Sequence, residues 1–289
     1  MPVVFPSSLA EAVAAAGERP DAMVLAGGTD LMVEINERRR SVPWDDGAVI
    51  AVGQVPELTS WTLDPSAATL TIGAAVRWAD IEREPLCSTV PALAQAARTV
   101  GSPQIRDAGT VGGNLATCSP AGDGLPVLAA YDAIVHLVSA NGRRSLPVHD
   151  FMVGVKQTAL APGELIESVS IPLLDGWQGY SKVGVRNAMV IATASACIAT
   201  DLPSGSIRIA LGSVGPTVIR CADAEALASS GVDWSGRSID ADVADRAGAL
   251  AASASRPITD HRSTADYRRH AVSVMVRRLL IRAFPGAAS

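Results

Sequence analysis

Apolar positions along this chain recur with two periods, and the switches between them outline its elements. Leu9, Ala12, Val13 and Ala16 fall at helical spacing. Ser8 and Glu11 set a capping-box pattern around them and Gly17 supplies a stop, which predicts a first amphipathic helix. The apolar run 23–26 predicts a short buried strand. Leu31, Met32 and Ile35 return to helical spacing after Thr29 or Asp30 as the cap, and the polar tail Glu37-Arg38-Arg39-Arg40 suits the exposed end of that helix. Strands are predicted at 48–52 and 70–73, and helices near 78–84 and over 91–99, the second ended by Gly101. A helical stretch follows near 124–130. Segments 134–138 and 145–148 flank Asn141-Gly142, a strong hairpin signal.

After Ile171-Pro172 the texture changes. A connector containing Asp175-Gly176 leads to strands predicted at 179–185, 190–200 and 207–214, the last two joined by a Pro203-Ser204-Gly205 turn. From Asp223 the pattern is helical, at 223–230, 239–253 and 263–284. Strands followed by helices predict a separate α+β domain.

The chain has 289 residues, enough for two domains or one large one. Hydrophobic residues make up 48% and charged residues 18%, so a full core is expected rather than disorder. A net charge of -5 argues against a nucleic-acid surface. No run reaches about 18 consecutive apolar residues, and Met1-Pro2-Val3-Val4-Phe5-Pro6 lacks the basic and apolar regions of a secretory leader, so a cytoplasmic location is expected. Cys87, Cys118, Cys197 and Cys221 form no CxxC pair, which argues against an iron–sulfur cluster or zinc ribbon built by this chain alone. The histidines show no metal-ligand spacing and read as surface or satisfied core residues, and no metal ligand or catalytic residue is assigned.

Two glycine pairs carry the candidate chemistry. Leu25-Ala26-Gly27-Gly28-Thr29-Asp30-Leu31 lies at a strand-to-helix junction, where bare backbone N–H groups favour an anion. It is neither a GxGxxG nor a Walker sequence, so an ordinary strand–helix turn is the competing reading. Thr110-Val111-Gly112-Gly113-Asn114 combines close-approach glycines with a hydroxyl and an amide. Asp123, beyond Pro120, either accepts hydrogen bonds from sugar-like hydroxyls or caps the next helix. The two stretches together suggest one large cofactor held from two sides. Lys182, on a predicted strand, is either a solvated side chain or a cation beside a flavin. Cys118 reads as a small packing residue. The arginines Arg268, Arg269, Arg277, Arg278 and Arg282 read as a solvated helix face, with docking to an acidic partner subunit as the alternative.

At these residues, and at Ala265-Asp266-Tyr267-Arg268-Arg269 in the last helix, the chain resembles the FAD-binding medium subunits of molybdenum hydroxylases, the family of carbon monoxide dehydrogenase and bacterial xanthine dehydrogenase medium chains. The resemblance implies an α+β architecture. A two-part FAD-binding domain of the PCMH/vanillyl-alcohol-oxidase type would span 1–175, with subdomains of about 1–54 and 55–175. A smaller α+β domain over 176–289 would hold a three-stranded antiparallel sheet and helices. It implies noncovalent FAD, with Val24 through Leu31 around the diphosphate. Thr110, Val111, Gly112, Gly113 and Asn114 would lie along the isoalloxazine and ribityl side, with Asp123 on a polar part. Val100 and Ile166 match positions beside the flavin, and Lys182 matches a lysine near it.

Molybdopterin and [2Fe–2S] clusters would then reside in separate large and small partner subunits, as a dimer of heterotrimers. Electrons would pass through FAD here to an external acceptor. The Gly-Gly-Thr-Asp and Gly-Gly-Asn forms lean toward xanthine-dehydrogenase-like or heterocycle-oxidising relatives rather than carbon monoxide dehydrogenase. The alternatives are a stand-alone FAD-dependent oxidoreductase and a non-catalytic assembly protein that has lost flavin.

Overall fold

A small parallel sheet opens the chain. In the computed structural model, which describes residues 3–41 and 48–286, Val3–Val4 and Met23–Leu25 pair on either side of Val49–Ala51. Met1 and Pro2, part of the stretch read for a leader, lie outside the described residues. The helix Leu9–Glu18 buries Leu9, Ala12 and Ala16, the stripe its spacing predicts. Ser8 Oγ accepts the Glu11 N–H at 3.2 Å. The Glu11 carboxylate, however, turns to the N–H and hydroxyl of Ser7, at 2.7 and 2.9 Å, rather than to the Ser8 N–H that a capping box would use.

A five-stranded antiparallel sheet follows, ordered Trp61–Asp64, Thr69–Gly73, Leu165–Pro172, Ile134–Ser139, Gly142–Pro147. Leu165–Pro172 is its central strand and has no clear alternation in sequence. A bulge between Ile166 and Ser168 shifts the register, so Leu165 and Ile166 both point into buried space before alternation resumes at Val169 and Ile171. In the hairpin, Ser139 pairs with Gly142, so the two-residue loop is Ala140-Asn141, one residue earlier than the Asn-Gly signal indicates. Gly142 opens the second strand at φ +124.

The later sheet pairs Gln178–Val183, Ala194–Asp201 and Ser206–Gly212 in antiparallel order, and the two-residue strand Ile219–Arg220 adds a fourth strand at its edge, one more than the three expected. On one face, Tyr180, Cys197, Ala199 and Ala210 join the core of the preceding sheet. On the other, Ala196, Ile198, Ile209 and Leu211 pack on the helices Ala222–Gly231 and Ala265–Ala283, and Ala241–Ala254 packs on those two helices. The strand Ala194–Asp201 is therefore buried on both sides, its Ser195 and Thr200 included. Arg220 fastens the two parts: Nη1 donates to the Ala129 carbonyl at 3.0 Å and to the Asp132 carboxylate at 2.5 Å.

The solvated reading of the last helix needs one correction. Arg269 and Arg277 make surface ion pairs, but Arg268 is 2% exposed and pairs with Asp260 at 2.6 Å. Burial works against the charge of Asp260. The N–H groups of Arg262 and Ser263 and the Arg268 guanidinium outweigh it and hold the carboxyl at about 2. A carboxyl depressed in this way stabilises the fold above its unfolded pKa and loses that contribution as pH falls toward 2. Asp260→Asn is therefore expected to cost about 2 kcal/mol at pH 7. In urea denaturation, the gap to the parent should narrow steadily between about pH 5 and pH 2; a gap that does not change with pH would remove the ionic account.

Candidate functional site

The first glycine stretch meets, backbone to backbone, the two residues that lead into the second. The strand Met23–Leu25 runs into Ala26-Gly27-Gly28, and Gly28, at φ +69, turns the chain so that its carbonyl accepts the Met32 N–H of the helix Leu31–Asn36. A Cβ on Gly27 would stand 1.8 Å from the Ala108 carbonyl oxygen and 2.9 Å from the Gly109 nitrogen. Only a glycine allows that approach. Gly27→Ala must separate the segments, and a loss of about 2–3 kcal/mol is expected from the overpacking, read by urea denaturation of the cofactor-free chain. Parent-like stability would show that the junction yields freely.

The second stretch is not a loop. Thr110 is the N-cap of a helix, Val111–Thr117, and its hydroxyl accepts the Gly113 N–H at 3.0 Å. Two glycines and an asparagine hid that helix from the sequence pattern. The helix is anchored on the edge of the segment 74–78: Val111 N–H donates to Val76, Gly112 N–H to Ala74, and Trp78 N–H to Gly109. The two glycines have different tasks. A Cβ on Gly112 would lie 2.5 Å from the Ala74 methyl, so Gly112 serves packing between elements; one on Gly113 would meet only the Thr110 hydroxyl.

Between these stretches lies a cavity of about 630 Å³. Val24 through Leu31, Val100, Thr110, Gly112, Gly113, Asn114, Asp123 and Ile166 all line it. Val111 does not; it is fully buried and points into the core. Lys182 also stands behind the wall rather than on it. Its ammonium donates to Asp123 Oδ2 at 2.8 Å and to the Thr99 carbonyl at 2.9 Å, and its side chain is 6% exposed.

Asp123 caps no helix. Its Oδ1 accepts the Tyr180 hydroxyl at 2.8 Å, and Tyr180 and Lys182, two residues apart on one strand, reach it from the same face. Burial pushes the Asp123 carboxyl up, and the Lys182 ammonium and Tyr180 hydroxyl pull it back. Burial, then the Asp123 charge, pushes the Tyr180 phenol well up. Asn114 Oδ1 is buried without a partner.

Sequence reasoning missed several parts of the wall, three of which bear on the site's chemistry and closure. Glu34 stands at one end, bridged by Lys156 at 2.6 Å and by Arg40 at 3.9 Å. The Lys156 hydrogen bond is the main cause that lowers the Glu34 carboxyl. Met189, Val190 and Ile191 come from the later sheet's loop, and Ser119, Ala121 and Gly122 from the turn before Asp123. Tyr180 had a signal in its spacing from Lys182; the Met189–191 segment had none. Cys118 is a buried packing residue, its thiol pushed up by burial.

Residues 1–174 match the family described as the FAD binding domain in molybdopterin dehydrogenase. The chain belongs to that family. Residues 180–283 match the CO dehydrogenase flavoprotein C-terminal domain. Among similar proteins, the glyceraldehyde dehydrogenase medium chain of Sulfolobus acidocaldarius is 31% identical over 88% of this chain and 88% of its own length. The nicotine 6-hydroxylase medium subunit of Paenarthrobacter nicotinovorans is 30% identical over 96% and 95%. A chain of the quinoline 2-oxidoreductase structure from Pseudomonas putida 86 superposes with a TM-score of 0.87 at 26% identity, covering 99% of this chain and 97% of that one. A chain of the Hydrogenophaga pseudoflava carbon monoxide dehydrogenase structure does so with a TM-score of 0.84 at 30% identity, over 98% and 96%. Among the described residues, no helix is long and apolar enough to cross a membrane.

Proposed function

We propose that this chain is the FAD-carrying electron-transfer subunit of a molybdenum hydroxylase, working with a large molybdopterin subunit and a small [2Fe–2S] subunit as a dimer of heterotrimers. The observation that carries the reading is the backbone contact of Gly27 with Ala108 and Gly109, which brings both glycine stretches onto one cavity of about 630 Å³. That volume suits a dinucleotide-sized ligand, since pockets for drug-sized and cofactor-sized molecules run at about 300–1,000 Å³. The partnerless Asn114 Oδ1 and the open space at Gly113 fit a flat ring with hydrogen-bonding edges.

In this reading Val24–Leu31 wrap the diphosphate, Gly27 and Gly28 leaving the backbone bare there and Gly28 making the turn. Gly113 and Asn114 face the isoalloxazine and ribityl side, Val100 and Ile166 pack beside the ring, and Asp123 accepts from a cofactor hydroxyl. Lys182 holds Asp123 in place. Because its ammonium is paired, the cavity meets the neutral sum of the two charges rather than a free cation. Val111 contributes only to the helix that carries Gly113 and Asn114. Bound FAD supplies the exchange of electrons between a partner's iron–sulfur donor and an external acceptor. The substrate is selected by the molybdenum subunit. A division near residue 175 would separate the FAD-binding part from the smaller domain.

The test is affinity purification of the tagged chain from its host under gentle conditions, with an absorbance spectrum and metal analysis of the eluate. Flavin, iron and molybdenum arriving with two further chains are expected. Flavin alone would favour a self-sufficient flavoenzyme. A colourless chain with no affinity for added FAD would overturn the reading.

A further inference from the structure

Arg268 reaches the cavity walls from behind. It stands in the first turn of Ala265–Ala283, inside the smaller domain, and a buried guanidinium is costly unless its donors are used. Its Nη1 donates to the Thr193 carbonyl at 2.5 Å and to the Ser213 carbonyl at 3.1 Å, and its Nη2 holds Asp260, while the buried Nε has no partner. Both carbonyls lie just outside strands: Ala194–Asp201 starts after Thr193, and Ser206–Gly212 ends before Ser213.

Each carbonyl leads to one wall. Thr193 closes the loop whose Met189, Val190 and Ile191 line the cavity, with Met189 at φ +50 and Met189 and Ile191 more than half exposed. Ser213, at φ +63, donates its N–H to the Pro120 carbonyl at 2.7 Å, between the cavity-lining Ser119 and Ala121. Its hydroxyl donates to the Ala192 carbonyl at 2.6 Å, tying the two loops together. A core position would be filled as well by an apolar side chain. What Arg268 adds is a planar fork that serves two loop carbonyls and a carboxylate at once, which a lysine cannot reproduce.

We propose that Arg268 is a positioning residue for the cofactor cavity, fixing the Met189–191 wall and the Ser119–Ala121 turn against the smaller domain and so setting how firmly the cavity closes on its ligand. This rests on the FAD reading above. The experiment compares the FAD-loaded full chain with Arg268→Lys, Ser213→Gly and Leu279→Ala. The last thins the same core about three turns further along the helix, without touching the Arg268 hydrogen bonds. The readouts are the FAD dissociation rate, the visible circular dichroism of the bound flavin, and amide hydrogen exchange over 186–193 and 119–122.

Arg268→Lys is expected to release FAD about tenfold faster, the loss of roughly one charge-assisted hydrogen bond, with altered dichroism and faster exchange in both segments. Ser213→Gly, tolerated at that φ, should move the same readouts in the same direction by less. Leu279→Ala should lower the melting temperature and leave them alone. Parent-like dichroism, release and exchange in Arg268→Lys, or equal changes in Leu279→Ala, would overturn the proposal. If Arg268→Lys fails to fold, Ser213→Gly decides it by the same criteria. If the parent takes up no FAD, the cofactor reading falls, and the exchange data on the two segments alone decide for or against Arg268.

Discussion

Gly113→Val is expected to weaken FAD binding by at least about a thousandfold, about 4 kcal/mol, while the chain still folds. A Cβ at 113 meets nothing but the Thr110 hydroxyl, 2.9 Å away, and otherwise projects into the cavity. That hydroxyl belongs to a rotatable side chain and can yield at the cost of a cap, about 1 kcal/mol. The branched γ-carbons of valine have no such escape. In the proposed placement they take the space of the ring, and the helix beneath is pinned to the 74–78 segment by backbone hydrogen bonds, so it cannot retreat. The neighbouring glycine sets the contrast. Gly112→Val would drive a side chain into Ala74 and should unfold the protein rather than empty the site. Flavin stoichiometry after purification, with circular dichroism and urea denaturation alongside, separates the two. Full flavin content in Gly113→Val would defeat the assignment of Gly113 to the cofactor.

Lys182→Met is expected to cost about 3–5 kcal/mol of stability, because it strands the Asp123 carboxylate in a buried site. Asp123 and Lys182 are 9% and 6% exposed in their side chains, and the Tyr180 hydroxyl alone cannot replace an ammonium. The pH dependence follows from the sign. Burial already pushes the Asp123 carboxyl up, and removing the lysine pushes it further. A carboxyl whose folded pKa lies above its unfolded one does no harm below the unfolded value, and destabilises as pH rises through the folded one. The deficit of Lys182→Met should therefore be small near pH 4 and grow toward neutrality. The double variant Lys182→Met with Asp123→Asn should recover most of the loss, since no buried charge remains. Denaturation of the four proteins of the cycle at pH 4.5 and pH 7.5 checks both statements. A deficit equal at both pH values would mean that the lysine stabilises by packing.

Much of this molecule was legible before any coordinates. The first helix, the short strand before Gly27, the Asn141 hairpin and the run of helices after Asp223 follow from local periods and turn residues, because the forces that set them act within a few positions. The paired glycine stretches pointed to a shared ligand, and the structure brings both to one cavity. Lys182 reads from the sequence as a candidate cation, and in the structure its charge is spent on Asp123. Alternation along a strand says which face a lysine takes, not that a carboxylate from a turn near residue 123 will neutralise it there.

What the tertiary structure decided lies where long-range contact overrides local preference. Val111–Thr117 forms a helix despite its two glycines, because a Thr110 cap and the hydrogen bonds of the 74–78 segment fix it. Leu165–Pro172 holds the centre of a sheet through a bulge that erases its alternation. Arg268 reads as one of several surface cations, yet it is buried because three separated segments place two carbonyls and a carboxylate around it. The sequence by itself determined the local elements and the chemistry of the glycine stretches, which depend on neighbours in the chain. Only the fold could decide which charges are paired and which loops close the cavity, since partners such as Lys182 and Asp123 lie far apart in the chain and meet only when the cores have formed.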